Sequence, residues 1–205
     1  MRKFVSVMMA LVMMLSLAAC QSGGEKETTG APVETTEAPV ETTVPVAAVA
    51  SAVEILENIW ANYAEEEKFA IIGGNPEAMY MDGPGNWDMA YAEGMSYNLL
   101  VPADSLASVD EAASMIHMMN ANTFTCGVLH LVEGTDVTAF AAAMREAVQG
   151  NQWMCGFPET LVIAVIGGEY VLVAFGVNDA MTPFQTHLAE AYADAEILYN
   201  EAIAG

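Results

Sequence analysis

Basic residues are scarce in this chain: Lys and Arg number 5 against 27 Asp and Glu, a formal charge of −22. Two of the five stand at positions 2 and 3 and one at 26, which leaves Lys68 and Arg145 for everything beyond. Nucleic acid, anionic headgroups and other polyanions are bound by Lys and Arg that neutralise phosphates, so those partners are excluded. Nucleophile elbows, P-loops, HExxH helices and CxxC pairs are all absent, and the serines sit mostly where helix caps are wanted. No cofactor is implied. Long apolar runs are missing as well, because the longest, Phe4 to about Leu15, falls short of the roughly 20 residues of a membrane span.

What that run does have is a positive front, Arg2-Lys3, and an end that reads Leu17-Ala18-Ala19-Cys20. A charged start, a short apolar core and small residues at a cleavage site make a signal peptide. The last four residues match the lipobox of bacterial lipoproteins. That resemblance implies a diacylglyceryl group, with palmitate-type chains, on the Cys20 thiol, cleavage before it, and a location on the outer face of the cell membrane. Two acyl chains hold far better than one, since each buried methylene is worth about 0.8 kcal/mol.

Gln21 to Val46 shows no apolar periodicity and carries a seven-residue repeat, APVETTE at 31–37 and APVETTV at 38–44. Pro, Thr and Glu bury too little surface to offset ordering, so 20–46 reads as a disordered tether. At roughly 3.1 Å per residue its 26 residues reach at most about 80 Å. The remaining stretch, 47–205, is long and apolar enough for one domain with a single core. Five of the 27 acids lie in the linker, so the domain holds 22 against two bases, near −20.

In the domain, Ser51 and Glu54 form a capping box ahead of Ile55, Leu56, Ile59, Trp60 and Tyr63, which predicts a helix to about Glu67. Phe69–Ile72 reads as a short strand, and the stretch to Asn98, broken by Gly73-Gly74, Pro76 and Gly83-Pro84-Gly85, as a long ordered loop. A short helix follows from Asp104 or Ser105 to about Ala112. Ala113–Met119 suits either a helix continued from a second capping box, Ser108 with Glu111, or a buried strand; the strand is favoured. Thr123–Val132 is apolar on both faces, as a central strand would be. Val137, Phe140, Ala141, Met144 and Val148 mark a helix that Gly150 ends. Leu161–Ile166 and Tyr170–Phe175 flank Gly167-Gly168-Glu169 as a hairpin. Thr182, Pro183 and Gln185 read as the start of a last helix carrying Phe184, Leu188, Ala191, Ala195, Leu198 and Ala202.

Adjacent strands with helices set apart predict an α+β fold of two layers, an antiparallel sheet with helices packed mainly on one face. The segment Tyr97-x-Leu99, Asp104, Val109-x-Glu111, Met118-Met119, then strand, helix and Gly168-x-Tyr170-Val171 resembles a small domain of unknown function carried by lipoproteins of anaerobic Gram-positive bacteria. The likeness spans roughly 97–190 and supports the strand at 113–119. It implies no activity and no catalytic residues.

Candidate sites are few. The loop at 69–98 is rich in large soft side chains, and Met79, Tyr80, Trp87 and Tyr91 are its candidate binding surface, with folding back onto the core as the alternative. Cys126 and Cys155 either bridge, which would add about 3 kcal/mol, or stay as free thiols. Met115, His117 and Met119 carry soft ligands that suit Cu(I), and a core role is the plainer reading. Asp82, Asp88 and Glu93 are spaced like part of a calcium loop, but Pro84 and Trp87 spoil an EF-hand. His130 and His187 stand alone on apolar faces.

The sequence therefore points to a membrane-tethered, extracytoplasmic, non-enzymatic binding or envelope-interaction module, expected as a monomer that binds a protein or small molecule. The alternatives are a hydrolase whose carboxylates and histidines meet only in the fold, and a calcium or copper binder.

Overall fold

The α1 helix, Ala52–Ala61, starts as the capping box predicts: Ser51 Oγ accepts from the Glu54 N–H at 3.2 Å. It stops six residues short of Glu67, and the reason is charge, since Glu65-Glu66-Glu67 would set three acids against the negative end of the helix dipole. In this computed structural model, residues 49, 51–119 and 123–204 are described. The leader, Cys20 and the linker lie outside them. Among the described residues no helix is long and apolar enough to cross a membrane.

The short strand expected at Phe69–Ile72 is β1, shifted to Ile71–Asn75, and where a long loop was expected the chain forms strands β2 (Ala78–Met81) and β3 (Gly85–Asn86), a 3₁₀ segment Met89–Gly94 and the one-turn α2 (Met95–Asn98). The glycines that read as breakers are crossing points. β1 and β3 pair end to end along one edge of β4 (Val109–His117), with Gly73 opposite Met115 and Gly85 opposite Ser114. Their backbones pass so closely that a Cβ on Gly73 would stand 2.1 Å from Gly85 N. Ser114, buried beneath, donates to Gly74 O at 2.8 Å.

The expected short helix is a 3₁₀ segment, Ala103–Ser108, and β4 begins directly after it. Glu111 makes no capping box with Ser108; its Oε1 accepts from Ala52 N–H at 2.7 Å and so caps α1 from across the fold. Then come β5 (Phe124–Leu131), α3 (Val137–Gln149), β6 (Thr160–Ile166) and β7 (Tyr170–Gly176), close to their predicted limits. The last helix differs. α4 spans Asn178–Ala191 and holds Pro183 inside it, while Glu196–Ala202 forms strand β8. Glu159 Oε2 accepts from Asn178 N–H at 2.7 Å and starts the helix there rather than at Thr182.

The eight strands make one antiparallel sheet in the order β2-β1-β4-β5-β7-β6-β8, with β3 beside β4. The fold is α+β, as the pattern of elements predicts. Two of the three long helices share a face: Ile55, Leu56 and Ile59 of α1 and Phe184 and Leu188 of α4 cover Met115, Cys126, Val128 and Leu172. On the opposite face, Phe140, Met144 and Val148 of α3, together with Trp87, Met95 and Leu99, cover Leu129, Ile163, Val171 and Val173. The two expected layers thus become three, because β5, β6 and β7 are apolar on both sides and each side needs a cover.

Candidate functional site

At the end of the sheet where β4 finishes and β5 begins, on the α3 side, lies a cavity of about 280 Å³. Strand alternation supplies its floor: Ile116 of β4, Thr125 of β5 and Phe175 of β7. α2 and the residue pair after it bring Tyr97, Asn98 and Leu100 to one wall. The segment after α3 brings Asn151, Trp153 and Cys155 to the other, and His117, Met119, Thr123 and Phe124 complete the rim. Two features hold the walls. Leu100 takes a left-handed φ of 59°, turning the chain sharply after α2, and Trp153 packs on Phe175 with ring centroids 5.5 Å apart.

None of these lining residues is Asp, Glu, Lys or Arg. The imidazole among them, His117, stacks on Phe69 at 5.0 Å and accepts the Met119 N–H on Nδ1 at 2.9 Å. Burial lowers its pKa from the ordinary imidazole value, so it is neutral at physiological pH with its proton on Nε2. Among the described residues the Trp153 indole N–H has no acceptor. Of the lining residues Tyr97 is 85% exposed, and in the segment that carries Trp153 and Cys155 the apolar side chains Met154 and Phe157 are 88% and 66% exposed.

Of the residues singled out from the sequence, Trp87 is 4% exposed and belongs to the core: its N–H donates to Ala112 O at 2.8 Å and its indole to Tyr91 O at 3.1 Å, which removes it from the candidate surface. Met79 and Tyr80 are exposed on the edge strand β2, and Tyr91 is partly so. Tyr80 also has a structural task, since its ring lies against Gly83 and its Cβ against Gly85 where the backbones cross.

Asp82, Asp88 and Glu93 do not converge, and among the described residues no three His, Cys, Asp or Glu side chains gather as a metal site would require. Asp88 is spent as a cap, its Oδ1 accepting from Ala90 N–H at 2.9 Å. Met115 is buried under α1, away from exposed Met119, so the soft cluster is split. Cys126 and Cys155 are free thiols. Cys126 is buried on the α1 side, where burial raises its pKa, and Cys155 is exposed at the cavity on the α3 side, so the sheet separates them.

Neither remaining histidine is alone. His130 hydrogen-bonds Asp110 through Nδ1, and its Nε2 is 3.5 Å from Glu169. His187 bonds Glu190 at 2.8 Å and packs on the Tyr63 ring at 4.3 Å. Both lie outside the sheet-end cavity.

No family model, curated protein or solved structure matches the chain. The lipoprotein likeness therefore stays an expectation. Of the cavity's residues the sequence singled out only His117, Met119 and Cys155, for metal or disulfide roles; the site as a whole was missed because it is assembled from separate elements. The one local signal is Trp153-Met154-Cys155 and Phe157, large apolar side chains in a stretch with neither helical nor strand period.

Proposed function

We propose that the chain is a lipid-anchored, extracytoplasmic binding module, tethered through Cys20 and the linker, whose contact site is the sheet-end cavity. The observation that carries this is the contrast between a body near −20 and a concave lining with no charged side chain that includes the exposed ring of Tyr97. Exposed apolar groups around a concave site with a few polar residues are the ordinary build of a binding pocket. The enzyme alternative draws less support, because the histidine–carboxylate groups sit outside the cavity and no carboxylate lines it.

Two measurements test the proposal. Radiolabelled palmitate fed to cells should mark the parent chain and leave Cys20→Ser unmarked; equal or absent labelling in both rejects the anchor. A photo-crosslinking amino acid placed at Tyr97 should give products in intact envelope, whereas one at Met79 should give none. Products from position 79 alone would move the contact to the β2 edge.

A further inference from the structure

Resting on the cavity as the contact site, we infer that its ligand is a neutral carbohydrate, held by one pyranose unit. Charge narrows the choice first. An anion approaching the body is repelled, and a cation finds no carboxylate among the lining residues, so complementarity selects an uncharged ligand. Polarity narrows it further. Asn98, Asn151 and Thr125 line the cavity, and a purely apolar group would strip their water and return no hydrogen bond.

A pyranose meets both demands. Its C–H face is apolar and weakly positive and lies on the negative face of an aromatic ring, while its hydroxyls donate and accept around the edge. Tyr97 and Trp153 supply rings, and Asn151, Thr125 and the carbonyl oxygen of Asn98, whose Nδ2 already donates to Gly94 O at 2.8 Å, supply neutral partners. A volume of about 280 Å³ is at the small end for small-molecule sites, roughly 300–1,000 Å³, and admits one ring rather than a chain. Further units would leave through the mouth, past the exposed Tyr97.

The test is a titration of the purified, isotope-labelled chain with neutral trisaccharides of glucose, mannose and N-acetylglucosamine. A uronic acid trimer and a Phe-containing tripeptide run beside them. The Trp153 indole N–H resonance and saturation transfer to each ligand are followed. At least one neutral trimer should shift that resonance and receive saturation, and its affinity should fall about tenfold in Trp153→Ala and in Tyr97→Ala. Tyr97 is 85% exposed, so its replacement reports on binding even where the Trp153 variant unfolds. No transfer to any neutral trimer, stronger binding of the tripeptide or the uronic acid, or unchanged affinity in Tyr97→Ala overturns the carbohydrate. Crosslinks from position 97 alongside such a failure would discard the sugar and leave the cavity as the contact site.

Discussion

Gly73 is where two backbones cross, and no other residue type fits there. Gly73→Ala would place a carbon 2.1 Å from Gly85 N, with backbone rather than a flexible side chain in the way. The cost should exceed the usual 1–3 kcal/mol of overpacking and reach at least about 3 kcal/mol in urea unfolding. Gly134 provides the contrast: its φ is +88° and nothing lies within 4 Å, so Gly134→Ala should cost only backbone strain, about 1–2 kcal/mol. Equal losses would show that the crossing relaxes enough to admit a Cβ at position 73. His130 makes a pH prediction. Its hydrogen bond to Asp110 raises its pKa, outweighing the opposing effect of burial. A raised folded-state value means stabilisation fully present below about pH 6.5 and lost as pH rises through the folded value. The pair is solvent-exposed, so the effect is under about 1 kcal/mol; the stability gap between parent and His130→Gln should be wider at pH 5.5 than at pH 8.

At the scale of elements, β8 depends on a clamp from α3. Arg145 Nε and Nη2 reach Glu201 Oε1 and Oε2 at 2.6 and 3.0 Å, and Gln149 Nε2 donates to both Glu201 Oε1 and Ala202 O. The guanidinium also lies 5.4 Å over the Tyr199 ring. β8 is an edge strand with mostly exposed side chains, so these contacts, more than burial, hold it to the sheet. Arg145→Met should speed amide exchange across Glu196–Ala202 while leaving β5 protected; uniform acceleration in both strands would show that the pair supports the whole fold instead. Arg145 also lowers the Glu201 pKa. The clamp's contribution is therefore present above the ordinary carboxylate range and is lost as pH falls through the folded value.

Across the whole molecule the largest electrostatic effect is self-repulsion. In the domain Lys68 pairs with Glu65 and Arg145 with Glu201, and those two bases face 22 acids. Screening weakens repulsion among the many more than attraction in the few, so raising NaCl from about 0.02 to about 0.5 M, which shortens the screening length to a few ångströms, should raise Tm by a few degrees. A fall would mean that ion pairs outweigh the repulsion. Among elements the fold contains, local pattern was enough for α1's start, β5, α3 and the β6–β7 hairpin. In each of these the capping, turn or periodic residues lie within a few positions of one another. The β1–β3 crossing, the tertiary caps from Glu111 and Glu159, β8 and the cavity were beyond it. Glycines that read as breaks become strand pairing only when β4 is beside them. Ile197 to Ala202 fits a helix until β6 offers its edge. The cavity joins residues between 97 and 175 whose only common property is nearness after folding. Sequence by itself decided composition, charge and the elements with local signals; tertiary structure decided which polar and aromatic groups share a space, because proximity across a sheet is set by register and packing and leaves no periodic trace along the chain.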